Sequence, residues 1–302
     1  MDLYLMSPPH PEWSLRGRAN FKSKSADDVV PVRAFAEWLG LAEAIEARGG
    51  TVVVLEPDDP GLTGMVFSAE AGHPLPARTP GGKPRFLLPR VKPQHRRGER
   101  DRWKPFVERL GFETVDVTSD AIWEAQGDVA HFDGATLLFY GGRTELRGMH
   151  AARSHFDGEV LELCVREPAF HGNMALLPIP QADSIIVCAD VVDDDSLAVL
   201  EARVGRDRMH FVSQEELRCY ATNGLPIGDS LLCPTNLPPR VRALFEKLGV
   251  KVVELPMIEL CDKGGGASRC MVCVFEGAPE GLSIPDEARL SYVRERRLGG
   301  AR

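Results

Sequence analysis

The sequence lacks the features that define several broad protein classes. No stretch approaches the roughly 20 consecutive apolar residues of a membrane-spanning helix, and the first residues lack the basic region and long apolar core of a signal peptide. No GxGxxG or GxxxxGK[ST] element follows the early strand-like segments, so nucleotide binding has no support. We therefore expect a cytoplasmic protein without a membrane partner.

The charge balance and the cysteines narrow the choice further. A formal net charge of −8 argues against nucleic acid as a general partner. The basic run at residues 94–100 is short, and we interpret it as a solvated loop or helix face. The seven cysteines are an odd number, which indicates free thiols in a reducing compartment. With 302 residues, 43% of them hydrophobic, the chain can bury a substantial core.

Short apolar or β-branched segments recur along the chain and alternate with helical patterns. Helices are predicted over residues 32–48, 103–110 and 239–248, because apolar side chains recur there at helical spacing. The predicted strands are residues 3–6, 51–55, 85–88, 114–117, 136–140, 159–163, 184–188, 230–233 and 251–254.

Each predicted helix ends at a glycine and is followed directly by a strand. Gly49, Gly111 and Gly249 are expected to take a left-handed conformation that closes the helix. Repetition of this helix–glycine–strand unit at wide spacing indicates a repeated α/β architecture. After Phe275 the composition changes to glycine, proline and charge, with one helical pattern over residues 286–297. We predict a catalytic domain over 1–275 and a surface tail or short appended helix over 276–302.

A glycine-rich segment that ends in a cysteine, KGGGASRCM at residues 263–271, is the strongest functional signal. Consecutive glycines let the backbone approach a ligand closely, and Cys270 beside the cation Arg269 is placed like an activated nucleophile. The alternatives are a buried structural cysteine, or a metal or redox pair with Cys273. A zinc site normally needs four ligands, and no second CxxC or HxxxH lies near in sequence.

Two distant segments supply groups that a nucleophilic cysteine needs. His171 titrates near neutral pH and is a candidate general acid/base, in front of the apolar segment 174–178, for which we expect a strand. Glu124 and Asp128 lie in a short polar break before a buried-looking strand, where carboxylates are expensive unless paired. One of them can orient the histidine and the other can accept N–H groups of a planar cation. A turn-forming aspartate remains the alternative for Asp128.

These segments, with two others, resemble the guanidino-group-modifying enzymes, or penteins. The motifs are the glycine–cysteine segment, EAQGD at 124–128, FHGN at 170–173, GRTE at 142–145 and MVFSAE at 65–70. That superfamily includes arginine deiminases, arginine dihydrolases, dimethylarginine hydrolases and amidinotransferases. The resemblance covers nearly all of the chain up to Phe275 and is closest to the dihydrolase and dimethylarginine hydrolase branch. It implies an α/β fold, a five-bladed propeller of ββαβ-type repeats around a central substrate channel.

The resemblance also implies roles for individual residues. Cys270 is the nucleophile, His171 the acid/base, and Glu124 the carboxylate that pairs with the histidine. Asp128 is expected to face the guanidinium or another polar part of the substrate. Arg90 and Arg143 match positions that hold a substrate carboxylate, a role that suits an arginine fork. For each arginine alone, a structural ion pair is the alternative.

Two further substrate-facing positions depart from the family pattern. Glu70 stands where relatives commonly carry Asn or Asp, and it is expected to reach the guanidinium with a longer side chain. Asn173 replaces the aspartate of the usual His-x-Asp and removes one negative charge from the pocket. RAN at residues 18–20 stands where dihydrolases carry Asn-Pro-Trp. These changes favour a substrate other than free arginine, although arginine-type compounds remain the default.

The leading hypothesis is a cysteine-dependent hydrolase of a small guanidino compound that works through a covalent thiouronium intermediate. It needs no metal and no organic cofactor. An amidinotransferase, in which an amine replaces water in the second half-reaction, uses the same residues. A ligand-binding member without turnover is a third hypothesis, supported only by Glu70 and Asn173. Assembly as a homo-oligomer is left open.

Overall fold

The structure is a computed structural model that describes residues 1–18, 20–117, 120–279 and 281–299. Ala19 of the RAN segment, together with Glu280 and residues 300–302 of the predicted C-terminal segment, lies outside the described residues. Among the described residues, no helix has both the length and the apolar character needed to cross a membrane.

The described residues form five separate three-stranded sheets. In spatial order, the strands are Cys273–Phe275 (β15), Leu3–Met6 (β1) and Thr51–Val54 (β2); His73–Leu75 (β3), Arg85–Leu88 (β4) and Glu113–Asp116 (β5); Val129–Phe132 (β6), Ala135–Tyr140 (β7) and Val160–Cys164 (β8); Leu176–Ile179 (β9), Ser184–Val187 (β10) and Met209–Phe211 (β11); and Leu225–Ile227 (β12), Ser230–Pro234 (β13) and Lys251–Leu255 (β14). In every sheet the first strand is antiparallel to the second, and the third is parallel to it.

A helix connects the second and third strands of each sheet, as a parallel pair requires. These helices are Pro31–Glu46 (α1), Arg100–Leu110 (α2), Leu146–Arg153 (α3), Asp194–Val204 (α5) and Pro239–Lys247 (α7). The other helices are Gly172–Ala175 (α4), Gln214–Arg218 (α6), Leu290–Gly299 (α8) and a π-helical turn at Ile258–Lys263. Short 3₁₀ turns lie at Ser68–Ala71, Gln94–Glu99, Ala125–Asp128, Pro180–Ala182, Ala189–Val191, Arg206–Arg208 and Asp286–Ala288. The predicted five-bladed propeller of ββαβ repeats, the pentein fold, is confirmed.

The predicted strands and helix ends also agree with the structure. Each of the nine predicted strands overlaps an observed one, with ends that differ by at most one residue. The glycines expected to end helices have left-handed φ angles of 83° at Gly49, 109° at Gly111 and 72° at Gly249. The predicted strand at 174–178 begins two residues late, because α4 occupies the start of that segment.

The first strand of each sheet faces the propeller axis. Residues from all of these strands line one cavity, namely Val274 of β15, His73 of β3, Val129 of β6, Leu176 of β9 and Leu225 of β12. This shared lining marks the central channel that the resemblance implied. Three of the inner strands contain a proline, at positions 74, 178 and 226. An edge strand tolerates proline because one of its sides donates no hydrogen bond to the sheet.

The C-terminal segment packs onto the first blade. Leu290 and Val293 of α8 are buried in the main core, and Ala278 and Ala288 are buried in a second cluster with the first two sheets. Arg289 forms a β-bridge with Val53 of β2. The described part of this segment contains the helix Leu290–Gly299, and the assignment of residues 276–302 as a surface tail or appended helix remains a prediction. The boundary of the catalytic domain at 275 remains a prediction.

Candidate active site

Cys270 lies at the end of the glycine-rich segment, where the backbone is tightly constrained. Gly265 has a φ of +87°, and a Cβ at this position would collide with the side chain of Asn20. The carbonyl of Cys270 accepts a hydrogen bond from the backbone N–H of Ala69 at 3.0 Å. Its thiol, in a residue only 2% exposed, lies 3.8 Å from Oδ1 of Asn173. The segment therefore fixes the sulfur beside the Ser68–Ala71 turn.

His171 is held between two carboxylates. Its Nε2 lies 2.7 Å from Oε2 of Glu124, and its Nδ1 lies 3.4 Å from Oε1 of Glu70. The three side chains are almost completely buried. Burial alone would lower the pKa of His171, but the charges of Asp128 and Glu70 and the bond to Glu124 raise it above its ordinary value. The arrangement favours a protonated imidazole.

Glu124 is the carboxylate that orients His171. The backbone N–H of Lys92 donates to Oε1 of Glu124 at 2.6 Å, and Nη1 of Arg143 lies 3.5 Å from its Oε2. Burial opposes ionisation of this group, but the hydrogen bond from His171 and the charge of Arg143 lower its pKa to about 2. It is therefore a permanent anion at neutral pH.

Glu70 belongs to a buried ion-pair group that the sequence analysis missed. Nη1 of Arg96 lies 2.6 Å from Oε2 of Glu70, and Nη2 of Arg96 lies 2.8 Å from Oε2 of Glu99. The carbonyl of Gly64 accepts a third bond from Arg96 at 2.9 Å. Interpretation of residues 94–100 as a solvated face was therefore wrong for Arg96 and Glu99, which are each 5% exposed. The charged sequence at residues 94–100 does not reveal that Glu70, from a different part of the chain, pairs with Arg96 and helps to bury it.

Cys270 lines a cavity together with Glu70, Arg96 and Arg143. The guanidinium of Arg143 stacks on Phe170, 4.6 Å from the ring centroid. The remaining lining residues come from the loops before α1, after β2 and after β4 and from the glycine run, and are Trp13, Ser14, Leu15, Arg16, Asn20, Ser23, Thr63, Gly64, Phe67, Pro93, His95 and Gly264–Gly266. Cations, carboxylates and aromatic rings thus surround the sulfur, as recognition of a polar, charged small molecule requires.

Two predicted substrate-facing residues lie elsewhere. Both carboxylate oxygens of Asp128 accept bonds from the chain, from Thr144 Oγ1 at 2.6 Å and from the N–H of Gly172 at 2.8 Å. Asp128 therefore fixes the residue after His171 and does not line the Cys270 cavity, and the substrate-facing role expected of it remains a prediction. Arg90 is exposed and lines a neighbouring depression with Arg97. Its backbone pairs with Trp123, and it does not line the Cys270 cavity.

Asn173 contacts the Cys270 thiol but does not line the Cys270 cavity. Its Oδ1 accepts a hydrogen bond from Asn223 Nδ2 at 3.1 Å and faces the Cys270 thiol. It lines the cavity of the central channel instead of the Cys270 cavity. The neutral amide therefore contacts the thiol from the side of the channel cavity, and its expected contact with substrate remains a prediction.

The buried environment of Cys270 favours the neutral thiol over the thiolate. Burial raises its pKa to about 12, and the charge of Glu70 acts in the same direction. A cation in the cavity would oppose both effects. Within the described ranges, no three His, Cys, Asp or Glu side chains are grouped so that they could hold a metal ion.

Five ββαβ blades with a buried cysteine, histidine and glutamate beside one cavity define a pentein. The chain belongs to the family described as N,N dimethylarginine dimethylhydrolase, eukaryotic, whose pattern matches residues 18–275.

Two curated relatives are bifunctional arginine dihydrolase/ornithine cyclodeaminases. ArgZ of Synechocystis sp. is 28% identical over 245 residues, and AgrE of Nostoc sp. is 24% identical over 242 residues. Each match covers 79% of this chain but 33% of the relative. The chain therefore spans about a third of the length of these curated relatives.

Solved structures share the fold. The N-terminal domain of an ArgZ variant, covalently bonded to a reaction intermediate, superposes with a TM-score of 0.82 at 24% identity, over 91% of this chain and 97% of that one. A dimethylarginine dimethylaminohydrolase adduct with 4-chloro-2-hydroxymethylpyridine has a TM-score of 0.67 at 18% identity, over 90% of this chain and 99% of that one.

Proposed function

We propose that this chain is a cysteine-dependent hydrolase of a small guanidino compound, with Cys270 as nucleophile and His171 as acid/base. The observation that carries the proposal is the buried imidazole of His171, held between Glu124 and Glu70 beside a cavity that contains the thiol. A proton donor with a raised pKa, bonded to Glu124 and next to the Glu70 that lines the cavity of the thiol, suits attack on an amidine carbon.

In the first half-reaction, the guanidinium binds in the cavity near Glu70. Its positive charge stabilises the thiolate, so Cys270 releases its proton to solvent when substrate binds, while His171 keeps its own proton. The thiolate then attacks the guanidinium carbon and forms a C–S bond. His171 gives its proton to the departing nitrogen, the C–N bond breaks, and an amine or ammonia leaves a cationic S-alkylthiouronium on Cys270.

In the second half-reaction, the neutral His171 takes a proton from a water molecule. The resulting hydroxide adds to the thiouronium carbon, and the C–S bond breaks. The departing thiolate takes the proton of the newly added hydroxyl group, and a neutral ureido product leaves. The carboxylate of Glu124 stabilises the imidazolium in both halves because it stays ionised. No step requires a metal or an organic cofactor.

Arginine-type compounds are the first substrates to test. The N-terminal domain of ArgZ is an arginine dihydrolase that has been crystallised with substrate, product and a covalent intermediate. Likeness to that domain and membership of the dimethylarginine family support a guanidino substrate with an α-amino acid end. In this chain Arg143, Arg16 and His95 are the cavity groups able to bind a carboxylate.

The test is turnover of L-arginine and Nω,Nω-dimethylarginine with product analysis. Ammonia with a ureido product would assign a deiminase, ammonia with ornithine a dihydrolase, and dimethylamine a dimethylarginine hydrolase. Intact-mass spectrometry of protein stopped in acid should show the thiouronium adduct. The absence of turnover and adduct over a panel of guanidino and amidino compounds would contradict the proposal.

An amidinotransferase is the second candidate. Cys270 and His171 are 2% and 1% exposed, so water reaches the intermediate only through a narrow opening. An amine acceptor that fills this opening would compete with water. Product that forms only when an amine is added, with ping-pong kinetics, would select this alternative.

We also propose the broader assignments that follow from this chemistry. The site is carried by residues 1–275, the partner is a small guanidino molecule, and the protein acts in the cytoplasm without nucleic acid or membrane. The seven free cysteines and the net charge of −8 support these assignments. Sedimentation of the purified protein would decide whether it forms a homo-oligomer.

A further inference from the structure

The cavity in the central channel is separate from the Cys270 cavity. The two share no lining residue. The channel cavity is lined by Tyr4, His73, Gln126, Val129, Ala130, His131, Asn173, Leu176, Leu177, Pro178, Pro180, Thr222, Leu225, Pro226, Arg269, Val274 and Glu276. The proposed reaction uses none of its charged groups.

Arg269 is a cation in this cavity without a counter-ion. Its guanidinium donates to the carbonyl of Val272 at 2.9 Å and to Oε1 of Gln126 at 3.1 Å. Both acceptors are neutral, and in the part of the chain that the structure describes no carboxylate lies within 4.0 Å of this guanidinium. Oε1 of Gln126 also accepts a hydrogen bond from the N–H of Val274, so both of its lone pairs are used and it can accept no second bond from Arg269. A partly buried cation with no carboxylate in ion-pair range favours an anionic ligand.

Unpartnered polar groups surround the same space. Nδ1 of His73 and Nδ2 of Asn173 are buried without a hydrogen-bond partner, in side chains of residues that are each 5% exposed. Both residues line the cavity. Buried polar atoms normally have a partner, and an anion with several acceptor oxygens could bond to these atoms and to Arg269.

Part of the lining is apolar. Leu176, Leu177 and Pro178 of the fourth blade and Leu225 and Pro226 of the fifth line the same cavity. Inorganic phosphate would leave this surface without a contact. A short aliphatic chain would cover it and gain the free energy of apolar burial.

We infer that the channel cavity is a second ligand site, which binds a small aliphatic carboxylate with its carboxylate on Arg269 and its chain on the leucine–proline wall. Glu276 lines the exposed rim of this cavity. An α-amino group on the ligand would face that carboxylate. The source of the carboxylate is therefore either an aliphatic amino acid or a simple carboxylic acid, and the two differ only in this contact.

Isothermal titration of the full chain with isovalerate and with L-valine tests the site. We expect binding with millimolar or lower Kd, and Arg269→Gln should weaken it at least about tenfold. Arg166→Gln, an exposed arginine far from the cavity lining, should leave it unchanged. Glu276→Gln should weaken only L-valine if the ligand is an amino acid, and neither compound if it is a simple acid.

Two additional measurements keep the inference falsifiable if Arg269→Gln does not fold. Pro226→Glu places a carboxylate on the half-buried cavity wall, and this internal anion should exclude both ligands. Alkylation of Cys270 should leave binding intact, because the two cavities have separate linings. No binding by the unmodified protein, full binding by Pro226→Glu, or loss of binding on alkylation would each overturn the second site.

Discussion

Oε2 of Glu124 lies 2.7 Å from Nε2 of His171, and both side chains are sealed from solvent. The same oxygen lies 3.5 Å from Nη1 of Arg143. The ionised Oε2 of Glu124 thus orients the imidazole of His171 and also faces the guanidinium of Arg143 at the cavity wall. Because the pKa of Glu124 falls to about 2 while that of His171 rises, the proton resides on the imidazole near neutral pH.

Glu124→Gln should shift the pH profile of kcat/KM. The variant keeps an acceptor for Lys92 but removes the charge that raises the pKa of His171. The imidazolium needed for amine departure is then lost at a lower pH, so the basic limb of the profile moves down. We expect kcat/KM at pH 8 to fall roughly 10- to 100-fold. A uniform loss at all pH values would instead indicate a structural role only.

Cys270→Ser should abolish turnover and adduct formation. Loss of the thiolate should reduce kcat by at least about a thousandfold, because a serine hydroxyl is a much weaker nucleophile. Cys273→Ser is the matched control, since Cys273 is also buried and free, and its Sγ lies 3.4 Å from the carbonyl of Gly72. Serine preserves that donor. Comparable losses in the two variants would contradict the assignment of the nucleophile.

Glu99 should make the protein less stable as the pH rises. Burial raises its pKa from 4.5 to about 7, although Arg96 opposes the shift. The folded state therefore holds this proton more tightly than the unfolded state, and stability is lost between about pH 4.5 and pH 7. Asp128, with a pKa raised to about 6, acts in the same direction, whereas Glu124 acts oppositely and only below pH 4.5.

Glu99→Gln should remove part of this pH dependence. We expect the loss in free energy of unfolding between pH 5 and pH 8 to shrink by about 1–3 kcal/mol, measured by urea denaturation. Glu108→Gln, on the exposed face of α2, is the control and should not change the slope. An unchanged slope in Glu99→Gln would show that this carboxylate ionises normally in the fold.

Gly265→Ala should destabilise the segment that carries Cys270. Its φ of +87° is unfavourable for alanine, and the new Cβ would displace Asn20. We expect a loss of about 1–2 kcal/mol in unfolding free energy and a reduced kcat. Gly40→Ala in α1 meets open space and should stabilise by up to about 1 kcal/mol. Equal effects of the two substitutions in a thermal melt would refute the strain argument.

The sequence predicted the second and third strands of four blades, and the second strand of the fourth blade, better than most inner strands. Helix–glycine–strand units have strong local signals, because the glycine cap ends an amphipathic helix and β-branched residues follow it. Inner strands such as His73–Leu75 and Leu225–Ile227 are three residues long and contain proline, which normally argues against a strand. Their position at a sheet edge, which removes that objection, is a tertiary fact that local pattern does not contain.

The residues of the candidate site likewise differ in how well the sequence alone could identify them. Cys270, His171 and Glu124 stood out because their residue types and neighbours have a chemical signature. Arg96 did not, because nothing in a basic run reveals that Glu70, 26 residues earlier, covers it. For Asp128 the motif identified the segment, but only the structure shows that its oxygens are bonded to Thr144 and Gly172.

Pairing of β15 with β1 has a consequence for synthesis of the chain. Each of the other four blades consists of one contiguous stretch of chain. The first blade is complete only when Cys273–Phe275 has been synthesised, long after its other two strands Leu3–Met6 and Thr51–Val54. Cys270 emerges just before that final strand. The Cys270 thiol and the strand that completes the first blade are therefore added to the nascent chain almost together.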